Sequence, residues 1–183
     1  MTSGEIIAVD AGLVQAREAE FVELLADAIE GGASVGFVWP VDRYLLATFW
    51  RGVAADLGAG RGELLAIEDP AGVAGCVMLA PSMKPNGRHR AEVMKLLVHR
   101  RARRRGLGER LMAAVEARAR ALGLTLIVLD TTAESGAERL YRRLGWQVSG
   151  TIPGYALDPD GTPHATRLFH KELASAGRDT SPR

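Results

Sequence analysis

With 183 residues, 47% of them hydrophobic and 25% charged, the chain carries enough apolar material for one well-cored soluble domain. A formal net charge of +1 excludes a protein whose whole surface is built to hold a polyanion. A lone cysteine, Cys76, excludes an internal disulfide and a cysteine-rich zinc site, and no apolar run reaches membrane-spanning length. Cys76 lies in the apolar run Val73–Leu79, where a buried, inert thiol is expected.

The opening MTSGEIIAVDAGL lacks a basic n-region, and Asp10 interrupts its apolar stretch. No signal peptide is therefore expected, and the cytoplasm is the expected compartment. Val14, Phe21, Leu24, Leu25, Ala28 and Ile29 recur at helical spacing and predict one amphipathic helix from Gly12 to Glu30, ended by Gly31-Gly32. The next stretch, ASVGFVWPVD, is apolar and aromatic but irregular, with Pro40 as punctuation. Taken singly, its Phe37 and Trp39 read as core filler; together they could wall a small-molecule pocket. Asp42 is placed to cap a second helix over Arg43 to Asp56. Glu63–Glu68 and Val73–Leu79 predict a hairpin turned by Asp69-Pro70-Ala71-Gly72.

A loop over Pro81–Arg88 leads to a central strand at Ala91–Val98. A helix follows over Leu107–Leu122, with Leu107, Leu111, Met112, Val115 and Ala119 on one face and Gly123 at its end. Leu124–Leu129 is almost continuously apolar and predicts a strand buried on both faces, ended by Asp130. Thr131 and Glu134 have capping-box spacing for a helix that runs to about Leu144 and stops at Gly145. Trp146–Val148 begins a further strand, Asp158-Pro159-Asp160-Gly161 is a turn, and His164–Leu173 returns as the last strand. The expectation is a single domain over residues 1–173 with a flexible tail at 174–183. The element order predicts an α/β fold, with a mixed central sheet of about six to seven strands flanked by about four helices. The sheet should start antiparallel and make a parallel crossover at the central strand.

The junction after that strand concentrates the functional signal. Five arginines, Arg100, Arg101, Arg103, Arg104 and Arg105, precede Gly106-Leu107-Gly108, and a helix starts at once. A glycine-containing turn feeding a helix N-terminus is an anion site: free N–H groups and the helix dipole both favour negative charge. The spacing is neither GxxxxGKS/T nor GxGxxG, which excludes a Walker loop and a dinucleotide fingerprint. A bare arginine run would read as a solvated face or a nucleic-acid patch, but this one is wedged between a buried strand and a Gly-x-Gly turn.

Arg103-x-x-Gly106-x-Gly108 at that junction resembles the coenzyme A loop of the GNAT superfamily of N-acetyltransferases. AERLYRRLGW, with Tyr141, Leu144, Gly145 and Trp146, resembles the superfamily's second motif. HRAEVMKLLV, Leu129–Thr131 and the stretch Pro153–Thr166 resemble the tabtoxin-resistance branch, and the likeness is specific from roughly Gly32 to Leu173. The resemblance implies the acyl-CoA N-acyltransferase fold, acetyl-CoA as co-substrate and direct attack by a small amine, a toxin- or antibiotic-like amino acid being one candidate. It implies no nucleic-acid or membrane partner and leaves a homodimer open. It also implies that Leu96, Leu97 and Val98 pair with the pantetheine arm, an N–H of Leu97 or Val98 polarising the thioester carbonyl. Arg103, Arg104, Arg105, Gly106, Leu107 and Gly108 would anchor the pyrophosphate, with Ala137 and Tyr141 also against the coenzyme. One departure is Glu134, where the family often carries asparagine.

Acyl transfer to an amine needs a deprotonated nitrogen, a donor for the developing oxyanion and a proton for the departing thiolate. Tyr141 is the candidate acid by the family match, although its stripe with Ala137, Leu140 and Leu144 also fits a core tyrosine. Two carboxylates are candidate bases. Glu92 lies in an otherwise apolar strand and Asp130 at the C-terminal end of another, the edge where α/β sheets bind ligands. Glu92 could instead pair outward with Arg90 or Lys95, and Asp130 could start a helix beside Thr131 and Thr132. None of the four histidines pairs at ligand spacing, so no metal is expected. Three other readings stay open: a protein-lysine or N-terminal acetyltransferase, a non-catalytic acyl-CoA sensor, and a nucleic-acid-binding module.

Overall fold

The computed structural model describes residues 4–174. Seven strands form one sheet in the order β1-β2-β3-β4-β5-β7-β6. In chain order the elements are β1 (Ile6–Val9), α1 (Ala11–Ala16), α2 (Glu18–Glu30), α3 (Arg43–Gly58), β2 (Glu63–Asp69), β3 (Gly72–Pro81) and β4 (Arg90–Val98). They continue with α4 (Leu107–Ala121), β5 (Leu126–Thr132), α5 (Gly136–Arg143), β6 (Gln147–Leu157) and β7 (Pro163–Glu172). Neighbouring strands run antiparallel except β4 and β5, which α4 connects in parallel. No helix among the described residues is long and apolar enough to cross a membrane.

The mixed sheet and its parallel crossover match the expectation, with five helices rather than about four. The expected first helix is two, because Arg17 at φ −120°, ψ 26° turns the chain between α1 and α2. Its guanidinium is held by Glu20 and Glu68. Apolar spacing carries through that turn, so periodicity alone does not reveal it. β1 was not expected: Ile6–Val9 is short, and becomes a strand because the edge of β2 offers it a ladder from Ile67 to Leu64. β5 does not end at Asp130, since Asp130, Thr131 and Thr132 pair with Leu168, Arg167 and Thr166 of β7. The cap of α5 also moves. Ser135, not Thr131, accepts from the Glu138 N–H at 3.1 Å, and the Glu138 carboxylate reaches back to the Glu134 N–H at 2.6 Å. The expected tail at 174–183 lies outside the described residues except for Ala174.

The sheet separates two apolar cores. On one face α4 and α5 bury Leu111, Met112, Val115 and Tyr141 against Ile67, Val77, Ile127 and Phe169. On the other, α1, α2 and α3 bury Val14, Phe21, Leu25 and Trp50 against Leu64, Ala66 and Cys76. Burial pushes the Cys76 thiol up to about 12, which leaves it un-ionised and unreactive, as expected. The polar tie across the first core is Glu116 on α4, which accepts from the Trp146 indole at 3.0 Å and from Lys171 Nζ at 2.8 Å. It fixes α4 to the base of β6 and β7.

One irregularity in β4 decides where the functional groups point. Cys76 lies opposite Leu97 and Met78 opposite Met94, so the step from 76 to 78 on β3 faces the longer step from 94 to 97 on β4. The extra residue makes a β-bulge, and Lys95 adopts φ +52° within it. Strand alternation is reset there. Ala91 and Val93 bury toward α4, but Leu97 buries toward α2 and α3.

Candidate active site

β4 and β5 are paired only from Arg90 with Leu126 to Glu92 with Val128. Beyond that point β4 diverges, stays hydrogen-bonded to β3 and leaves its β5 side without a strand partner among the described residues. Glu92 stands at the last pair, and Asp130 two residues beyond Val128, so period-two alternation puts both carboxylates on one face of the sheet at the mouth of the gap. Both reach solvent. Glu92 makes no ion pair with Arg90 or Lys95 among the described residues, and the cleft walls, followed by the like charge of Asp130, raise its carboxyl above the usual range. The structure thus brings the two candidate bases together.

Lys95 joins them, a residue that the sequence reading treated only as a partner for Glu92. Its ammonium lies 5.3 Å from the centre of the Phe49 ring on α3, and a Cβ at Gly36 would stand 3.8 Å from it. Burial lowers its pKa, and Asp130 and Glu92 oppose that shift. The signal that could have marked it was a lone lysine inside the apolar run MKLLV.

Tyr141 reaches the same gap from α5. Its ring is 6% exposed and packs on Trp146 and Phe169 at centroid distances of 6.1 and 5.9 Å. The hydroxyl has no hydrogen-bond partner among the described residues and is not sealed from solvent. Burial and then Asp130 push the phenol well above its ordinary value, and it keeps its proton across the physiological range. Tyr141 is therefore a core residue whose hydroxyl keeps its proton and feels the charge of Asp130.

The arginine corner sits at the N-terminus of α4. Val98, Ala102, Arg103, Arg104, Gly106, Leu107, Gly108, Glu109, Leu140 and Arg143 line an open groove of about 210 Å³. Positive φ at Arg104 (+61°) and Gly106 (+74°) curls the main chain there, and no side chain caps the first turn of α4. Its N–H groups stay available to an anion. Three of the five arginines also brace the loop. Arg100 holds Asp27 and Glu30, Arg101 holds Asp69 at 3.0 Å and the Val73 carbonyl at 2.9 Å, and Arg103 donates to the Val98 carbonyl at 3.0 Å. Arg104 and Arg105 make no ion pair among the described residues.

Asp27 was missed by the sequence reading, although a single acid inside the apolar LLADAI was its signal. It is 2% exposed, accepts the Arg100 N–H at 2.9 Å and has His99 Nδ1 at 3.5 Å. It thereby ties α2 to the start of the loop. Asp27→Ala should cost about 2 kcal/mol and lower Tm by roughly 6 °C. A calorimetric melt checks this, and an unchanged Tm rejects the brace.

The other expected cofactor residues are distributed around the gap. Leu96 and Val98 pack toward α4, Leu97 toward the opposite core, and Ala137 against the α4–α5 core. Arg105, Leu96, Leu97, Ala137 and Tyr141 do not line the groove at α4. The aromatic stretch 33–42 closes the cleft from the α3 side. Phe37 sets its ring edge-on to Phe49 at 5.8 Å, whereas Trp39 is 47% exposed. The stretch is latched to the β6–β7 hairpin: the Trp39 N–H donates to the Pro159 carbonyl at 2.7 Å and the Ser34 hydroxyl to the Leu157 carbonyl at 2.9 Å. His164 Nε2 lies 2.9 Å from that same hydroxyl.

Solved structures share this architecture. That of yncA from Salmonella typhimurium with its cofactor acetyl-CoA is 21% identical with a TM-score of 0.76, over 98% of this chain and 100% of that one. A phosphinothricin acetyltransferase from Sinorhizobium meliloti, in complex with AcCoA, is 18% identical with a TM-score of 0.76, over 100% of this chain and 94% of that one. A ribosomal-protein-alanine N-acetyltransferase from Brucella melitensis is 21% identical with a TM-score of 0.74, over 92% and 99% of the two chains. At these identities the likeness establishes the fold. Residues 19–146, from α2 to the tyrosine helix and Trp146, match the model of the acetyltransferase (GNAT) family. The parted central strands and the arginine corner thus lie within the matched region, and the chain belongs to the acetyltransferase (GNAT) family.

Proposed function

We propose that this protein is an acetyl-CoA-dependent N-acetyltransferase that acetylates the primary amine of a small molecule. The observation that carries the reading is the parting of β4 from β5, which gathers Glu92, Asp130 and Tyr141 around one opening beside the arginine corner. The residues fit the coenzyme. Uncapped N–H groups at Gly106, Leu107 and Gly108, with Arg103, Arg104 and Arg105, suit a diphosphate. The unpaired main-chain edge at Leu96–Val98 suits the amides of an extended arm, with an N–H of Leu97 or Val98 for the thioester carbonyl and Ala137 alongside. The coenzyme, when bound, supplies the acetyl thioester.

An amine is protonated at neutral pH, its pKa being about 10, and must lose a proton before it attacks. Glu92 and Asp130 face the opening and one of them takes that proton. Tyr141 holds a proton at its hydroxyl for the departing sulfur. The roof made by residues 33–42 and the latched β6–β7 hairpin favours a compact acceptor over a threaded peptide. The phosphinothricin acetyltransferase among the structural neighbours, and the stretches that resemble the tabtoxin-resistance branch, support an amino-acid-like acceptor. The same reading treats residues 1–173 as one domain working in the cytoplasm.

Coenzyme A release from acetyl-CoA with a panel of small amines, at moderate salt, tests the reading; release that depends on no amine rejects it. For the anchor, Gly106→Val forces a β-branched residue into φ +74°. It should weaken acetyl-CoA binding roughly tenfold by calorimetry, and an unaltered Kd rejects the cradle.

A further inference from the structure

Opposite charges in the cleft are held apart rather than paired. Glu92 and Asp130 lie at the mouth of the gap, and Lys95, swung out by the bulge onto the same face of the sheet, rests over Phe49 without an ion pair to either. Among the described residues Lys95 has no ion pair within 4.0 Å and no hydrogen bond from its ammonium, unlike Lys171, which binds Glu116 twice. Its Nζ is not sealed from solvent either. A half-buried ammonium that rests on an aromatic ring and has no hydrogen-bond or ion-pair partner among the described residues, beside the candidate bases, suits an anion. The coenzyme's diphosphate is an unsuitable occupant. Lys95 points to the α3 face, whereas the arginine corner lies at the N-terminus of α4 on the opposite face of the sheet.

We infer that Lys95 is a specificity-determining residue that binds a carboxylate of the acceptor, so that the substrate is an amine which also carries a carboxylate. This rests on the proposed acceptor site. The amine goes to Glu92 and Asp130, the carboxylate to Lys95, and the Phe49 and Phe37 rings supply an apolar wall between roof and sheet. The bulge is the device that makes this geometry. Its reset of the alternation lets Lys95 reach the Phe49 wall on the face that also carries Glu92.

The test compares the standard L-amino acids with their carboxamides, which have the same shape and no anion, by coenzyme A release. Amide α-amines are less basic, so a preference for the acid does not come from easier deprotonation. The wild-type protein should favour the acid of its best pair by tenfold or more in kcat/KM. Lys95→Met removes the ammonium and keeps an unbranched side chain of similar length, and should lower kcat/KM for that acid by roughly 10- to 100-fold. The same variant should lower kcat/KM for the carboxamide at least tenfold less than for the acid, both measured above the acid limb of Glu92, whose ionisation Lys95 also favours. Carboxamides used as well as acids by the wild-type protein overturn the assignment without any variant. So does an equal loss on both substrates in Lys95→Met above that acid limb. If acetyl-CoA binds by calorimetry but neither series is acetylated, the acceptor reading itself fails, and the carboxylate assignment with it.

Discussion

Tyr141→Phe is expected to lower kcat by about 10²- to 10⁴-fold, the range for a lost general acid, while acetyl-CoA binds within about twofold of its original Kd. The substitution isolates the hydroxyl. The ring packs on Trp146 and Phe169, and phenylalanine fills the same space, so no cavity forms. The hydroxyl has no protein partner among the described residues, so its removal orphans nothing and the melting temperature should hold. Rapid-mixing measurement of thiol release, with calorimetric titration of acetyl-CoA, separates the two effects. An unchanged kcat removes Tyr141 as the acid, and a large fall in Tm assigns it to the core alone. The pH profile carries a further sign. Burial and Asp130 raise the phenol above 10, and the protonated form is the active one. Loss of activity through Tyr141 therefore begins only above its ordinary titration range, so an alkaline limb near pH 10 belongs to another group.

The paired change Glu92→Gln with Asp130→Asn should lower kcat/KM by about 10²- to 10⁴-fold, because both groups that can take the amine's proton are gone. The single variants then identify the one that takes it. The pH dependence of the wild-type protein follows from the raised carboxyl of Glu92. A base works when deprotonated, so kcat/KM falls as pH drops through a value above the ordinary carboxylate range of about 4.3. Asp130→Asn removes a like charge from beside Glu92, lets it ionise more readily and should move that acid limb to lower pH. A limb that stays in place means the two carboxylates do not share the proton. A double variant with full activity moves the base elsewhere.

Strong local codes made most elements legible. The apolar stripe of α4, the run LTLIVL and the arginine–glycine junction each carry their meaning within a few residues. Residues whose meaning depends on distant partners were not legible. Ile6–Val9 is a strand only because β2 has a free edge, and Arg17 breaks a helical pattern only because Glu68 is there to hold it. Thr131 keeps its strand conformation because β7 pairs with it, which hands the cap of α5 to Ser135.

By itself, then, the sequence determined the mixed α/β class, the order of the main elements and the uncapped glycine turn with its arginines after the central strand. Periodicity, glycine placement and charge act over short spans, and they are written in adjacent residues. Only the tertiary structure decided which charges meet. The bulge at Lys95 resets a two-residue alternation, and the register of β4 on β5 puts Glu92 and Asp130 on one face where the strands part. Asp27 on α2 and Asp69 on β2 make three arginines of the anion patch braces of the loop, Arg100 and Arg103 through Asp27 and Arg101 through Asp69. Each of these outcomes depends on strand registers and helix packing between segments far apart in the chain, which no local pattern encodes.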